Sequence, residues 1–372
     1  MKKIAVIGAS YLQVPIYLKA VELGIETIGF AWEEGAVAKE HCTKFFPISI
    51  IEKEEILTVC KQEKIDGILT IASDVAVTTV NYVASKMNLT GNSIASSAWC
   101  TNKFLMRQKL HDAQINSPWF TSIKAIADID KNNEKISYPC IVKPTDRSGS
   151  KGVKKIVCPD ELKNAVEQAI QASFSKQAIL EEFIEGKEVS VEIISFEGKH
   201  YPLSITDKVT SGAPHFVELA HHQPSQLSTS IQNEIYTMAK KALNALDVKN
   251  GASHSEFIIN NKGIYVTEIG ARMGGDFIGS DLVYLSTGYD FLKGVIDVAL
   301  GKFEEPTKMF QKYAGVYFYS IHSKNVKKII TSERNHSFIV RKEINDEPLK
   351  LLTQSSDRQG YFIYQSNIKI EL

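Results

Sequence analysis

Residues 254–276 read H-S-E-F-I-I-N-N-K-G-I-Y-V-T-E-I-G-A-R-M-G-G-D, and this stretch decides how the rest of the chain is interpreted. Apolar or alternating runs at 255–259 and 263–269 flank N-N-K-G, a pattern typical of a β-hairpin. Glu256 lies on the first predicted strand and Glu268 near the end of the second, so the hairpin brings the two carboxylates into rough opposition. Facing carboxylates repel unless a cation lies between them, and Mg²⁺ usually takes one or two carboxylates and completes its shell with phosphate and water. A surface hairpin with solvated acids fits the stretch equally well, so the hairpin alone leaves both interpretations open.

The end of the same stretch carries residues suited to a negatively charged ligand. Arg272 follows Glu268 closely and offers a planar guanidinium that can clamp a phosphate or a carboxylate. Gly274 and Gly275 would let the backbone approach a ligand closely. These residues make the segment after the hairpin a candidate ligand site.

The overall composition argues against several classes of protein. The chain has 372 residues, which is too long for one ordinary core and predicts two or three domains. Lys plus Arg and Asp plus Glu both number 43, so the formal net charge of +0 provides no global field for nucleic acid or an anionic membrane. The five cysteines are an odd number without a C-x-x-C pair, which argues against a disulfide framework or a zinc knuckle and favours a reducing cytosol. No apolar run approaches the length of a membrane helix, so we expect a cytoplasmic protein without nucleic-acid or membrane partners.

Residues 2–90 alternate between strand-like and helix-like patterns, which predicts right-handed βαβ units and a parallel sheet. The turn G-A-S at residues 8–10 lacks the G-x-G-x-x-G spacing, so the sequence disfavours a dinucleotide site there. Ser73 and Asp74 follow a strand end, which is where open sheets bind ligands. We interpret Asp74 as an ordinary helix N-cap.

Basic residues in the middle of the chain occupy positions that suit a phosphate. Lys103 and Arg107 share one face of a helix predicted over residues 97–118, although a solvated face explains that pattern as well. Lys143 ends a buried strand, where a charge needs a partner. The loop T-D-R-S-G-S-K-G-V at residues 145–153 resembles a phosphate cradle, but it does not match the P-loop motif and joins strand to strand. A plain hairpin is the alternative for this loop.

Two later segments complete the set of candidates. E-E-F-I-E-G-K-E at residues 181–188 reads as strand, turn and strand. Residues 206–224 carry Lys208, His215 and Glu218, which could hold a carboxylate or accept a proton from an amine. The spacing fits no zinc motif, and a loop with ordinary surface histidines is the alternative.

Taken in this order, the elements resemble the ATP-grasp superfamily. The resemblance rests on the α/β start, the Lys-bearing helix, the strand with Lys143 and its glycine loop, E-E-F-I-E-G-K-E, and the paired glutamates with a trailing Arg. It extends over about the whole chain and is most specific over residues 100–276. Within the superfamily, E-I-x-A-R-x-G-G-D and P-H-F-V-E-L-A-H-H-Q-P are similar to segments of the carboxylate–amine ligases. Those include L-amino-acid (dipeptide) ligases of bacilysin-synthetase type and carnosine-synthase-like enzymes.

The resemblance implies an α/β and α+β protein with an ATP-grasp fold. A βαβ parallel-sheet domain would span residues 1–97, and an ATP-grasp domain would span 98–305. The ATP-grasp domain would contain a small lid subdomain at about 118–186 and an antiparallel-sheet catalytic subdomain. Residues 306–372 would form a small β-rich C-terminal subdomain. A homodimer is compatible with this architecture and stays open.

The resemblance also implies which residues bind the cofactors, ATP and Mg²⁺ or Mn²⁺. Lys103 and Lys143 would contact the phosphates, and Glu188 would bind the ribose hydroxyls. Glu256 and Glu268 would ligate the metal. The nucleotide-binding set that the resemblance implies comprises Lys103, Lys143, Ser148, Gly149, Ser150, Lys151, Gly152, Glu181, Glu182, Phe183, Ile184 and Glu188.

Within that set, the loop at 148–152 would close over the β- and γ-phosphates. Glu181 would face the adenine amino group, and the backbones of Glu182 and Ile184 would hold the edge of the ring. Glu268 and Arg272 would be the catalytic residues, with the guanidinium steadying the transferred phosphoryl group or the acyl phosphate. The substrate side would comprise Lys208, His215, Glu218, Arg272, Gly274 and Gly275.

Gly270 departs from the family pattern. Family members commonly carry Asn two residues after the second glutamate as a further metal ligand, whereas this position is a glycine here. Water or the bidentate reach of Glu268 would replace the missing ligand, or the metal site would be weakened.

The resemblance implies an ATP-dependent ligase that forms carbon–nitrogen bonds. ATP would phosphorylate a carboxylate to an acyl phosphate with release of ADP, and an amine would then displace phosphate to form an amide or peptide bond. The substrates would be a small-molecule carboxylate and an amine of amino-acid type. An ATP-grasp ligase of purine-biosynthesis or carboxylase type is one alternative, and a non-catalytic nucleotide-binding protein, suggested by Gly270, is another.

Overall fold

The structure is a computed structural model of the whole chain. It describes residues 1–147, 149, 151–332, 336–345 and 347–372. Within these ranges, no helix is both long enough and apolar enough to cross a membrane.

The N-terminal part is a parallel sheet with helices packed against it, as the alternating patterns predict. Its strands have the order β3-β2-β1-β4, and each pair is parallel. The apolar runs that form the strands are buried, because helices cover the sheet. The elements are β1 (Lys3–Ile7), α1 (Val14–Glu22), β2 (Glu26–Phe30), β3 (Lys44–Phe46), α2 (Lys53–Glu63), β4 (Gly67–Leu69) and α3 (Asp74–Met87).

Two helices follow, α4 (Ile94–Thr101) and α5 (Lys103–Asp112), where the sequence predicts one helix over residues 97–118. That prediction is wrong at Asn102, whose backbone is extended at φ −106° and ψ 111°. Its side chain accepts hydrogen bonds from the backbone N–H groups of Phe104 and Leu105, so Asn102 caps the second helix. The break makes Lys103 the first residue of α5 and buries it.

A small antiparallel sheet occupies the region predicted as the lid. Its strand order is β5-β8-β6-β7, and apolar residues of α7 pack on it. The elements are β5 (Phe120–Ile123), α6 (Ala127–Asn132), β6 (Cys140–Pro144), β7 (Lys154–Ile156), α7 (Pro159–Ala172) and β8 (Ala178–Glu182).

The largest sheet is formed by the rest of the chain. Among the described residues its eight strands have the order β13-β12-β9-β10-β11-β14-β16-β15. The C-terminal strands continue this sheet through pairing of β14 with β11, whereas the domain boundary at 305/306 stays a prediction. The elements are β9 (Lys187–Phe196), β10 (Lys199–Thr210), β11 (Glu218–Gln223), α8 (Thr229–Ala245), β12 (Gly251–Asn260), β13 (Gly263–Gly270), α9 (Val283–Thr287), α10 (Phe291–Ala299), β14 (Tyr313–Tyr319), α11 (Asn325–Ile330), β15 (Ile339–Ile344) and β16 (Gly360–Ser366).

The predicted hairpin is confirmed as β12 and β13. Asn260 pairs with Gly263 across a tight two-residue turn, and the Asn260 side chain accepts a hydrogen bond from the N–H of Lys262. The register places Glu256 directly opposite Glu268, and a bulge begins immediately after Glu256. Because β12 also pairs with β9 in the middle of the sheet, the two carboxylates have a rigid support.

Candidate active site

The two hairpin glutamates each contact one lysine from a different element. Lys208 of β10 lies with its Nζ 2.6 Å from Glu256 Oε1, and Lys103 of α5 lies with its Nζ 2.9 Å from Glu268 Oε1. The glutamate side chains are 30% and 27% exposed, whereas the two lysine side chains are nearly buried. The carboxylates are therefore paired with ammonium groups on one side and accessible on the other.

The Lys103 ammonium ties the hairpin to the segment that follows β6. Besides Glu268, it donates a hydrogen bond of 2.8 Å to the carbonyl oxygen of Arg147. Burial acts to lower the pKa of Lys103, but the Glu268 carboxylate outweighs it and holds the pKa above its ordinary value. Lys103 thus stays charged at the point where the segment after β6 meets the hairpin.

Around Glu256, a second carboxylate and a histidine join the cluster. His254 Nδ1 is hydrogen-bonded to the buried Glu192, and its Nε2 lies 3.2 Å from Glu256 Oε1. Burial favours neutral His254, yet Glu192 outweighs burial and raises the pKa of His254 to about 9. Burial also acts to lower the pKa of Lys208, but Glu256, Glu218 and Glu188 raise it.

Sequence reasoning missed both Glu192 and His254. The one available signal for His254 is its spacing from Glu256, because residues two apart on a strand project to the same face. For Glu192 no signal exists in the sequence, since its partner lies on another strand.

The hairpin glutamates fit a hard divalent cation that receives most of its ligands from elsewhere. Among the described residues, no group of three or more His, Cys, Asp or Glu side chains is arranged to hold a metal ion. Mg²⁺ does not need such a group, because it binds through one or two carboxylates and fills its remaining positions with phosphate and water. Glu256 and Glu268 are the residues that would hold it.

A second charged cluster lies behind the hairpin and is nearly buried. Glu181 of β8 lies with Oε2 2.6 Å from Lys143 Nζ of β6 and with Oε1 2.7 Å from Arg107 Nε of α5. Burial opposes the charge on Glu181, but Arg107 and Lys143 outweigh it and lower the pKa. The pKa of Lys143 is lowered, chiefly by burial. The fully buried Arg107 also donates to the carbonyl oxygen of Thr267, which excludes a solvated face for it.

A cavity of about 420 Å³ opens beside this cluster, between the small antiparallel sheet and the large sheet. The segment predicted to hold the adenine and ribose, residues 182–188, forms one wall, and the loop at 212–216 forms another. The Phe183 and Phe216 rings are in tilted contact, with centroids 6.2 Å apart and planes at 41°, and they give the cavity an apolar side. Glu188 lines the cavity, and its pKa is raised, chiefly by burial. Lys143, Lys208 and Glu256 line the same space.

A second cavity of about 530 Å³ reaches the other hairpin glutamate. Glu268 and Lys103 line it together with Asp74 and Arg147. Glu256 lines the first cavity and Glu268 the second, and because they are direct cross-strand partners their side chains lie side by side on one face of the sheet, between the two cavities.

The predicted phosphate loop is anchored at its base. Asp146 accepts hydrogen bonds from the N–H groups of Phe174 and Ser175, and Arg147 Nε donates to the carbonyl oxygen of Ala172. Ser148 and Ser150 lie outside the described residues. Gly149, Lys151 and Gly152 are exposed, and both glycines have positive φ, at 66° and 75°.

Arg272 is paired with a residue of the N-terminal sheet domain. Its Nη2 donates to Asp74 Oδ2 at 2.8 Å, and its Nε lies 2.8 Å from Asp74 Oδ1. The interpretation of Asp74 as an N-cap is wrong, because Ser73 is the cap residue and Asp74 is the first residue of α3. The Asp74 carboxylate instead contacts the Arg272 guanidinium.

The glycines after the hairpin lie against protein groups. A Cβ on Gly274 would lie 2.7 Å from both Glu192 Oε1 and His254 Nδ1, and the N–H of Gly274 donates to Glu192 Oε2 at 3.0 Å. A Cβ on Gly275 would make only an ordinary contact, 3.6 Å from Ala72 Cβ. Gly274 is therefore required by the close packing of Glu192 and His254.

The remaining substrate-side candidates are spread along β10, β11 and the loop between them. Glu218 lies 3.6 Å from Lys208 Nζ and accepts a hydrogen bond from Ser355 Oγ. His215 lies half-exposed on the loop. The structure thus brings Glu218 and Lys208 close to the hairpin glutamates.

A cluster next to β11 was missed by sequence reasoning. Arg358 binds Asp276 in a bidentate pair, with both N–O distances 2.7 Å, and its guanidinium lies over the Phe318 ring at 3.7 Å. The Nε2 of the buried His221 lies 3.6 Å from Asp276 Oδ2. Burial raises the pKa of Asp276, but Arg358 outweighs it and lowers the pKa. The sequence offers no signal for a pair formed between such distant segments.

Part of this chain is similar in sequence to known proteins. Residues 136–281 match a family described as the ATP-grasp domain. D-alanine–D-alanine ligase B of Clostridium perfringens is 28% identical over 190 residues, which covers 50% of this chain and 61% of the relative. Alanine–anticapsin ligase of Bacillus subtilis is 25% identical over 245 residues, 60% of this chain and 51% of the relative. The chain thus spans little more than half the length of these curated relatives.

Solved structures match over nearly the whole chain. The L-amino acid ligase from Bacillus licheniformis has a TM-score of 0.81 at 24% identity, covering 99% of this chain and 94% of that one. The phosphoribosylglycinamide synthetase from Anaerococcus prevotii has a TM-score of 0.78 at 21% identity, with 99% and 94% covered. At these identities the likeness concerns the fold, and the predicted fold class is confirmed.

Proposed function

This chain carries an ATP-grasp domain in an ATP-grasp fold, and from that premise we propose that it is an ATP-dependent carboxylate–amine ligase. ATP phosphorylates the carboxylate of one substrate, ADP leaves, and the amine of the second substrate displaces phosphate to form an amide or peptide bond. The reaction class joins two small molecules and needs no nucleophilic side chain of the protein.

The observation that carries the proposal is the opposition of Glu256 and Glu268 between two cavities. Phosphoryl transfer depends on positioning and on neutralising the phosphate charges. Glu256 and Glu268 would hold Mg²⁺, or Mn²⁺ in its place, and the bound metal supplies positive charge to the β- and γ-phosphates. The half-exposed state of both carboxylates supports this role, because the groups are accessible without unfolding any element.

The chain's own residues supply the rest of the environment. In the proposal, the cavity of about 420 Å³ takes the adenine next to Phe183 and Phe216, and Glu188 accepts hydrogen bonds from the ribose hydroxyls. Lys103 and Lys143 contact the phosphates, and the loop at 148–152 closes over them and excludes water that would hydrolyse the acyl phosphate. Arg272 steadies the transferred phosphoryl group.

Amino-acid-like substrates are the favoured class. The printed names of the matched relatives, a D-alanine–D-alanine ligase and an alanine–anticapsin ligase, support this choice. In the proposal, Lys208, His215 and Glu218 face the amine and carboxylate ends of the substrates, next to Arg272 and the glycines at 274 and 275. His215 suits proton acceptance because imidazole titrates near neutrality.

A substrate-pair screen tests the proposal. Purified protein is incubated with ATP, Mg²⁺ and pairs of amino acids, and phosphate release and ADP formation are measured with Glu268→Gln as the matched inactive control. Dipeptide detected by mass spectrometry with phosphate released in equal amount supports the ligase. Turnover that requires bicarbonate as the phosphoryl acceptor favours the carboxylase type, and turnover of an amino acid only with a ribosylamine as the amine favours the purine-biosynthesis type. Tight ATP binding without turnover favours a non-catalytic nucleotide-binding protein.

A further inference from the structure

Gly270 ends strand β13 beside the hairpin glutamates, and the space that a side chain would fill there is already occupied. A Cβ on Gly270 would lie 2.9 Å from Asp74 Oδ1 and 3.0 Å from Arg272 Cζ. The backbone of Gly270 is that of a strand and is not in the left-handed region. A side chain at position 270 would therefore have to displace the Asp74 carboxylate or the Arg272 guanidinium, although the backbone conformation itself would accept one.

The residue nearest to this space is Asp74 of the N-terminal sheet, 196 positions before Gly270 in the chain. Asp74 and Arg272 form a two-point ion pair, and each side chain is only 14% exposed. The backbones of the two segments are also joined, because the N–H of Ala72 donates to the carbonyl oxygen of Met273 at 3.1 Å. Two independent contacts thus hold the start of α3 against the end of the hairpin.

We propose that Asp74 is a positioning residue for Arg272 and that Gly270 provides the space for its carboxylate. A bidentate carboxylate fixes both the direction and the plane of a guanidinium, which otherwise turns on a long flexible side chain. Asp74 lines the same cavity as Lys103 and Glu268, so the N-terminal domain contributes a charge to the reaction centre. The inference rests on the proposed function, because it takes Arg272 as the group that meets the transferred phosphoryl.

The proposal has a steric consequence that a simple interdomain ion pair does not have. Any side chain at position 270 competes with Asp74 for the same space, so the two positions act as one unit. An Asn side chain at position 270 would therefore have to displace Asp74 or Arg272 before it could offer a metal ligand. Residues that act as a unit give non-additive effects when both are changed.

The experiment is a double-mutant cycle with Asp74→Ala, Gly270→Ala and the double variant. Asp74→Ala should lower kcat roughly ten- to a hundredfold, since it removes a charged hydrogen-bond partner, while the KM for ATP stays within about twofold. Gly270→Ala should lower kcat as well, because its Cβ pushes the Asp74 carboxylate away. In the Asp74→Ala background, Gly270→Ala should cause no further loss of kcat and no further fall in Tm.

Two further variants separate positioning from domain docking. Asp74→Asn keeps one acceptor oxygen and should recover part of the kcat that Asp74→Ala loses. Lys19→Ala removes a comparable ion pair between the N-terminal domain and Asp290, 2.9 Å long and distant from the hairpin, and should leave kcat within about twofold. If Asp74→Ala is too unstable to purify, Asp74→Asn and Gly270→Ala complete the cycle.

The double-mutant cycle measured by Tm does not depend on turnover. The positioning role of Asp74 and the proposed ligase function can therefore fail separately. Wild-type kcat in Asp74→Ala, or additive effects of the two positions on Tm in an active enzyme, would overturn the positioning role alone. Loss of kcat in Lys19→Ala equal to that in Asp74→Ala would also overturn it, because docking would then explain both. A wild-type protein without turnover on any substrate pair sinks the proposed ligase, even if the Tm cycle is non-additive.

Discussion

The carboxylate of Glu181 and the carboxylates of the hairpin are all paired with lysines, but their surroundings differ. The Glu181 side chain is 4% exposed and contacts two cations, Arg107 and Lys143. Glu256 and Glu268 are 30% and 27% exposed; Glu268 contacts one lysine, and Glu256 contacts Lys208 and the imidazole of His254. The first arrangement is complete without a ligand, whereas the second leaves an accessible side on each carboxylate.

This difference separates charged groups that stabilise the fold from charged groups that can exchange one partner for another. A buried ion pair costs much to break, because the remaining charge is left without compensation in a medium of low polarity. A half-exposed carboxylate can exchange an ammonium for a divalent cation at small cost, since water reaches it during the exchange. We therefore expect Glu181 to determine stability and the hairpin glutamates to determine turnover.

The largest effect should come from Glu268→Gln. The variant keeps the shape of the side chain and can still accept the hydrogen bond from Lys103, but it removes a charge at the centre of phosphoryl transfer. We expect turnover to fall roughly a thousandfold or more, with Tm changed little. Steady-state phosphate release and thermal unfolding measure the two quantities, and Glu256→Gln should behave in the same way. Full activity in Glu268→Gln would remove the paired-glutamate metal site.

Glu181→Gln should show the opposite pattern. Arg107 and Lys143 would then lie buried without a countercharge, so the free energy of unfolding should fall by roughly 3 kcal/mol or more. Glu185→Gln, on an exposed residue of the next turn, should stay within about 0.5 kcal/mol of wild type. Urea unfolding measures both variants. If Glu181→Gln unfolds with the same free energy as wild type, Glu181 does not stabilise the fold and does not differ in this respect from the hairpin glutamates.

Glu188→Ala tests a carboxylate of intermediate burial that lines the 420 Å³ cavity. If Glu188 binds the ribose, its loss removes charged hydrogen bonds and should weaken ATP binding by roughly 1.5–3 kcal/mol while folding stays nearly intact. Titration calorimetry with a non-hydrolysable ATP analogue measures the affinity, with the exposed Glu167→Ala as control. Unaltered affinity in Glu188→Ala would count against its assignment to the ribose.

The smallest expected effect is a change in the pH dependence of stability at His222, a buried side chain whose hydrogen-bond partner belongs to the protein. Its Nδ1 is hydrogen-bonded to Tyr364 Oη at 2.9 Å, and burial lowers the pKa of His222 to about 3. The unfolded chain binds this proton near pH 6.5 and the folded chain does not, so stability should fall as the pH drops from 6.5 towards 3. Between pH 8 and pH 5.5 the loss should be about 1 kcal/mol.

The His222→Gln variant provides the matched control for that pH dependence. Gln has no proton to bind in this range, so the free energy of unfolding of the variant should depend less on pH than that of wild type. Urea unfolding at pH 8, 6.5 and 5.5 measures the difference. Identical pH profiles for the two proteins would show that His222 does not contribute to the acid sensitivity of the fold.

Local sequence patterns are sufficient to predict the elements around which the site is built. Alternating and apolar runs with a short polar turn predict the hairpin, and the hairpin brings Glu256 opposite Glu268, because strand pairing next to a tight turn is a local matter. The alternation in residues 2–90 predicts the parallel sheet in the same way. The resemblance to the ATP-grasp superfamily follows from the order of these elements along the chain.

The side chains that complete the site come from distant parts of the chain and meet only in the folded protein. Lys103 meets Glu268 across 165 positions and Arg272 meets Asp74 across 198, and neither pair has a spacing that a sequence pattern can reveal. The sequence also fails to predict the helix break at Asn102 and the N-cap at Ser73. Several residues of a segment can cap a helix equally well, and packing selects one of them. Whether a charge is solvated or paired depends on what the fold places beside it, and that neighbour comes from another part of the chain.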